Sequence, residues 1–414
     1  MNFIKESADK KPIVDTVFAI VAKAKEAKEK YGDENVIDAT IGSLYDEQGH
    51  IVAFHSVFES FDQIPAAQKA AYADSFRGNP DFRELVKKWT LGQGKVNLES
   101  SVIATPGGTG AVSLVMSEFL ETDETVILPD IAWGSYSLMA KDKQLKAVTY
   151  EMFEDDHFNL NSLKKQVNAL AGKQNRIVVV INDPCHNPTG YTMTREEWHE
   201  LIAFLNEVAK TTPCIILNDI AYIDYAYDLE HSRDYMREFE GMSDQVMAVI
   251  AMSCSKTLTS YGLRCGAAVI CAHSKESVRE AEIVFEKSAR ALWSNVNNAA
   301  MINFVNVVKD HKEEFLNEKK EYIHLLKKRS SIFMEEAKAC NLPVYPYKEG
   351  FFVTIKIENN DLKEKYHTLL MENHIFTVQV NKGIRVGICS LSVDKAKGLA
   401  LKMKLLLDQT ITTE

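Results

Sequence analysis

Lys256 lies in "SCSKTLTSYGLRCG" (253–266), flanked by Ser253 and Ser255, with Arg264 eight positions further on. Hydroxyls and a guanidinium bind phosphate, and a lysine amine beside them is a nucleophile for an aldehyde. Taken singly, a lysine is usually a solvated charge. Three other segments offer chemistry that fits the first reading. "ATPGGTGAVSLV" places Gly107, Gly108 and Thr109 at the start of a helical pattern, where free N–H groups and the helix dipole favour an anion and glycines let it approach. A plain turn before a helix reads the same way. The segment lacks Gly-x-Gly-x-x-Gly and a trailing Gly-Lys-Ser/Thr, which disfavours dinucleotide and P-loop sites. "VVVINDPCHNPTGYT" runs from an apolar strand into Asn187, a neutral hydrogen-bond donor in a turn that Pro and Gly favour. "CIILNDIAYIDY" ends an apolar run on Asp219, with Tyr222 three residues later. A carboxylate buried there needs a cationic partner, the alternative being a turn or helix cap.

Together the four segments offer a phosphate cradle, an amine, an acid and neutral donors. Pyridoxal 5′-phosphate needs that set: a lysine for its aldehyde, an acid for its ring nitrogen, and donors such as Asn and Tyr for O3′.

Groups from such distant positions meet only if a sheet collects them beyond the carboxyl ends of its strands. "RIVVVIND", "CIILND", "VMAVIAMS" and "CGAAVICA" are short apolar runs without alternation, as in strands covered on both faces. "TVILPD" is a further apolar run, and helical patterns at "AVSLVMSEFLE", "REEWHELIAFLNEVAK" and "SKESVREAEIVFEKSARAL" separate several of these strands. The alternation predicts an α/β fold with a mostly parallel central sheet flanked by helices. Before it, the pattern predicts a helix over 12–30, a short strand at "VIDATIG" and a helix through "DFRELVKKWTLGQ". From about residue 300 the texture changes to one long amphipathic stretch over 303–340, then "GFFVTIKI", a helix near "KEKYHTLLMENH" and "GIRVGICSL". That is the pattern of a smaller α+β domain, and with no Gly, Pro or Ser-rich linker the two halves should share the long helix. The expected division is an N-terminal arm and part of the small domain over 1–48, a large cofactor-binding domain over 49–305, and the rest of the small domain over 306–414.

A chain of 414 residues exceeds what one core usually supports, and its 46% hydrophobic and 26% charged content is that of a globular protein. The net charge of −10, without a basic recognition segment, disfavours nucleic acid as a partner. Seven scattered cysteines without a Cys-x-x-Cys pair fit a reducing cytoplasm; no apolar run approaches the length of a membrane span, and the start "MNFIKESADKKPIVD" carries charges where a signal peptide would place its apolar stretch.

"TPGGTGA", "CHNPTG" and "SCSKTLTSYGLRCG", in this order between "IGSLYDEQG" and "GIRVGICSL", resemble the class I pyridoxal-phosphate aminotransferases of fold type I, in their aspartate and aromatic branch. The resemblance covers nearly the whole chain. It implies that Lys256 is the Schiff-base lysine and general base, Asp219 the partner of the ring nitrogen, and Asn187 and Tyr222 the donors to O3′. It gives Gly107, Gly108, Thr109, Ser253, Ser255 and Arg264 to the phosphate, and Trp133 in "PDIAWGSY" to the ring face. Arg385 in "GIRVGICSL" would bind the substrate α-carboxylate beside Gly42 in "ATIGSLYDEQG". In this family two further groups come from the neighbouring subunit of a homodimer with shared active sites. Tyr72 would reach the phosphate, although its spacing to Pro80 is one residue longer than the family's. Arg290 would recognise a second carboxylate, although "NVNNAA" replaces the proline-containing sequence that usually follows; a solvated helix residue is its other reading. The implied reaction is a ping-pong transfer of an amino group from aspartate, glutamate or an aromatic amino acid to a 2-oxo acid such as 2-oxoglutarate. A C–S β-lyase of the same fold would use the same lysine and aspartate.

Overall fold

The computed structural model describes residues 3–6, 8–12, 16–92 and 96–412. Residues 13–15 of the expected first helix and Gln93 at the end of the helix through "DFRELVKKWTLGQ" lie outside them. The chain begins with α1 (Thr16–Tyr31), β1 (Ile37–Asp38), α2 (His55–Gln63), α3 (Ala66–Ala70) and α4 (Pro80–Leu91). Next come β2 (Glu99–Thr105), α5 (Gly107–Glu118), β3 (Thr125–Pro129), α6 (Ser135–Asp142) and β4 (Lys146–Tyr150). A small hairpin of β5 (Phe153–Glu154) and β6 (His157–Phe158) leads to α7 (Leu160–Leu170), β7 (Ile177–Asn182), α8 (Arg195–Ala209) and β8 (Cys214–Asp219). β9 (Val246–Ser253), the one-turn α9 (Cys254–Thr257), β10 (Gly266–Ala272) and α10 (Lys275–Leu292) complete the α/β part.

Seven strands form one sheet in the order β2-β10-β9-β8-β7-β3-β4. The pairs from β9 to β4 are parallel, and β10 runs antiparallel to both of its neighbours. This reversal departs from the alternation read in the sequence. Residues 254–265, which join β9 to β10, are too few for the crossover helix that a parallel pair requires. β7, β8 and β10 are buried along their whole length. Successive side chains of β7 enter opposite cores: Ile177 and Val179 meet Trp198 and Leu201 of α8, while Val178 and Val180 join the core under α5 and α10. Local signals set the helix starts. Pro80 opens α4, and Thr194 and Glu197 form a reciprocal capping box on α8.

The C-terminal part comprises α11 (Asn298–Asp310), α12 (Lys312–Ala339), β11 (Phe352–Lys356), α13 (Asn360–Glu372), β12 (Ile375–Phe376), β13 (Val378–Val380), β14 (Gly383–Gly387), α14 (Val393–Ala396) and α15 (Leu399–Thr412). β11, β14 and β13 make an antiparallel sheet, and β1 pairs in parallel with β12, which ties the N-terminal segment to this layer. Only Ile37 and Asp38 of "VIDATIG" form a strand, because the chain beyond them turns toward the strand ends of the large sheet. The expected single helix over 303–340 is two, broken at His311, whose φ of −122° is not helical. α12 packs on α2 and α11 and also on α14 and α15.

Register lines up the strand ends. Asn182 lies opposite Asp219, Asp219 opposite Ala251, and both Ser253 and Thr105 opposite Gly266.

Candidate active site

These strand ends open on a cavity of about 290 Å³. Gly108, Thr109, Trp133, Asn187, Asp219, Tyr222, Ser253, Ser255, Lys256 and Arg264 all line it. Lys256 projects from α9, its Nζ donating to the Gly42 carbonyl at 3.1 Å and lying 4.6 Å from the centre of the Tyr261 ring. Burial lowers its pKa to about 8, and the Arg264 and Arg385 cations push the same way against Cys389 and Asp219.

Asp219 is buried at the end of β8. Its Oδ2 accepts from the Tyr136 hydroxyl at 2.6 Å and its Oδ1 from the Ala221 N–H at 3.1 Å. Within the chain this carboxylate therefore meets two neutral donors. Burial raises its pKa, and the two hydrogen bonds and Lys256 oppose that shift. Asn182 fixes the neighbouring strand end, giving its amide to the Asp219 carbonyl at 2.8 Å and accepting the Asn187 N–H at 2.7 Å. The turn between them hangs on Asp183, which takes the Met193 N–H and the Trp198 indole at 2.7 and 2.8 Å.

At the other end, α5 begins without a side-chain cap, so its first N–H groups face the cavity's Ser253, Ser255 and Arg264. Arg264 has left-handed backbone, with φ 49°, and its Nη1 donates to the Ser255 hydroxyl and the Tyr261 carbonyl at 2.8 Å each. Gly107 has φ +72°, and a Cβ there would lie 2.5 Å from Arg264 Nη2. Only glycine leaves room for this approach.

Arg385, on β14, is buried behind Asn187. It stacks 4.3 Å from the centre of the Phe352 ring, and it donates to the Thr40 carbonyl at 2.9 Å and to Asn187 Oδ1 at 3.4 Å. Among the described residues its Nε has no hydrogen-bond partner. Trp133 is half-buried and meets Tyr136 edge to face at 5.4 Å. Tyr72 and Arg290 do not reach this cavity. Tyr72 is 84% exposed, and Arg290 stacks over Phe76 at 4.5 Å and donates to the Ser294 hydroxyl.

Ser43, Tyr136, Asn182 and Tyr261 also line the cavity and were not singled out in the sequence. Asn182 carried a signal, as the polar end of an apolar strand. Tyr261 lay within the segment already quoted for Lys256. Nothing local marked Tyr136, whose partner is 83 residues away.

A family profile, Aminotransferase class I and II, matches residues 34–400. The chain is 26% identical over 232 residues to the aromatic-amino-acid aminotransferase of Paracoccus denitrificans, and 26% identical over 265 residues to the aspartate aminotransferase of Escherichia coli (strain K12). These matches span 56% and 63% of this chain and 57% and 65% of those proteins. A solved aminotransferase of Anaerococcus prevotii is 34% identical and superposes with a TM-score of 0.94 over 98% of this chain and 99% of its own. The profile alone spans well over half of the chain, so the protein belongs to the class I and II aminotransferase family.

Proposed function

We propose that the protein is an aminotransferase that carries pyridoxal 5′-phosphate on Lys256 and moves an amino group from an amino acid to a 2-oxo acid. One observation carries this reading: a lysine amine with its pKa lowered to about 8 shares a cavity with both an uncapped helix start and a buried carboxylate. The donor set fits the group. Gly108, Thr109, Ser253, Ser255 and Arg264 would hold the phosphate, with Gly107 leaving Arg264 its room. Asp219 would hold the proton on the ring nitrogen, and Asn187 and Tyr222 would meet O3′. Trp133 would cover one ring face.

Bound there, the cofactor supplies an electron sink for the pair left when a proton leaves the substrate's Cα. Once the substrate's amino group has taken the place of Lys256 on the cofactor, the freed Lys256 amine would take that proton, and burial, by lowering its pKa to about 8, increases the share of the amine that is unprotonated near neutral pH. Arg385 pairs with the substrate α-carboxylate, next to Asn187 and Gly42. The two relatives named for aromatic amino acids and for aspartate support donors of those kinds, with an acceptor such as 2-oxoglutarate.

The reading includes a homodimer in which Tyr72 and Arg290 complete the partner's site, supported by the exposure of Tyr72, Phe76 and Leu292. It places the phosphate and ring contacts on 49–305 and the α-carboxylate contact on a smaller domain of 1–48 and 306–414, consistent with the pairing of β1 with β12. A reducing cytoplasm suits seven free cysteines, and among the described residues no helix is long and apolar enough to cross a membrane.

A panel of amino donors with 2-oxoglutarate and added pyridoxal phosphate tests the function. The expected result is a visible absorption band that shifts with aspartate or an aromatic amino acid, glutamate as product, and no turnover in Lys256→Ala. Pyruvate and ammonia from cystathionine without glutamate formation would make it a lyase. A protein that acquires no visible band would end the cofactor assignment.

A further inference from the structure

A second cavity, of about 420 Å³, lies between α4, α12 and the segment after β8, and it shares no lining residue with the first. Leu85, Trp89, Leu229 and Leu316 give it apolar walls, and Asp224, Arg233 and Lys319 supply its buried charges. These three side chains belong to residues 2%, 8% and 0% exposed. Arg233 pairs with Asp224 at 2.5 Å, and the Trp89 indole and Thr257 hydroxyl satisfy the other carboxylate oxygen at 3.1 and 2.6 Å. Lys319 is drawn to Asp224 and to Glu318 only at longer range, without a hydrogen bond to either among the described residues. An ammonium has three donors. Among the described residues the Lys319 Nζ gives one, to the Thr257 carbonyl, and otherwise faces the rings of Tyr225, Phe315 and Phe54 at 4.8 to 5.3 Å.

The set therefore holds two buried cations against one carboxylate. A buried cation that only shares a carboxylate is costly, and an anion brought into contact with it recovers much of that cost. Lys312 and Lys320 also line it beside Glu230, and Lys88 does so while paired with Glu84. We propose that this cavity is an effector site for a small carboxylate with an aromatic or branched apolar body, and that the ligand acts on Lys256. The link is short. Thr257 follows Lys256 in α9, and it is held by Lys319 through its carbonyl and by Asp224 through its hydroxyl. A carboxylate that pairs with Lys319 competes with the Thr257 carbonyl and so favours a different position of α9. That difference in contacts is what coupling between two sites requires.

The test is calorimetric titration of the holoenzyme with 2-naphthoate and with its neutral analogue 2-naphthamide. Arg385→Leu removes the guanidinium that would attract a carboxylate to the first cavity, whereas Leu316→Trp and Leu85→Trp obstruct the second from different helices. Melting curves establish that each variant folds. Naphthoate should bind the wild type and Arg385→Leu alike, and the amide or either obstruction should weaken binding about tenfold or more. At saturation in Arg385→Leu, naphthoate should also change the balance of the visible absorption bands at constant pH. Absence of binding overturns the site. So does binding that Arg385→Leu abolishes while both tryptophan variants keep it, or equal affinity for the amide. Unchanged bands at saturation overturn the coupling. The spectral readout rests on Lys256 as the cofactor lysine; a preparation that never shows a visible band refutes that reading and leaves the calorimetric result standing.

Discussion

An ammonium loses hydration when the chain closes over it, and Lys256 is enclosed by Tyr222, Tyr261 and the Gly42 carbonyl, with two arginines close enough to repel it. Its folded pKa, about 8, lies below the ordinary 10.5. Between those values the folded protein has released a proton that the unfolded chain still binds, so this group's contribution to stability rises with pH across the window. Below about pH 8 the charged form persists and its burial cost remains. The rate at which cofactor-free protein captures pyridoxal phosphate should therefore rise with a midpoint near pH 8. A midpoint near 10.5 would show that the amine is solvated. Tyr136 is the second residue to test. Its hydroxyl opposes the rise in the Asp219 pKa, so Tyr136→Phe should push that carboxyl further up and weaken cofactor affinity about tenfold, within the range for a hydrogen bond to a charged group. Unchanged affinity, measured by equilibrium dialysis, would leave Tyr136 a packing residue only. The difference between these two residues also explains what was legible. Lys256, Asp219 and Asn187 stand out in the sequence because each follows an apolar strand. Tyr136 follows a loop, and its role exists only once β8 is beside it.

At the scale of elements, glycine at the start of α5 and the cap of α8 make contrasting cases. Gly107→Ala would place a methyl group against Arg264 at a backbone angle that disfavours side chains, which should cost about 1–3 kcal/mol of stability and weaken phosphate binding as well. Thr194→Ala removes half of a capping box whose residues do not line the cavity and should cost about 1 kcal/mol with cofactor affinity unchanged. Denaturant melts with and without pyridoxal phosphate separate the two; equal ligand effects in both variants would contradict the cradle. The sheet's strands were legible because runs such as "RIVVVIND" leave no polar face, but an apolar run has no direction, and so the reversal of β10 was not. The break at His311 had a faint mark in Glu313 and Glu314, acids suited to the first turn of a new helix, hidden by apolar spacing that continues across it.

For the whole molecule, one chain leaves Tyr72 and Arg290 outside its own cavity while exposing Tyr72 and Leu292. A second copy would cover that surface and place both residues in service. Sedimentation should show two chains per particle. Arg290→Leu should lower kcat/KM for aspartate and glutamate about 10- to 100-fold, the range for losing a charge-assisted contact, with little change for aromatic donors. Equal losses for both donor classes would count against a carboxylate-specific role. None of this arrangement was readable from residue patterns, since an interface leaves no period in a single chain; it came from resemblance alone.

The antiparallel return of β10 also bears on how long a prosthetic group stays in place. Because Ser253 faces Gly266 across the ladder, Lys256 and Arg264 ride on a closed loop whose ends cannot separate without tearing the sheet. Arg385 and the Gly42 carbonyl reach the cleft from the other layer. If the layers part to admit a substrate or release a product, the grip on the incoming acid would slacken while the anchors proposed for the cofactor keep their spacing. Exchange of substrates would thereby be uncoupled from leakage of the group that serves them.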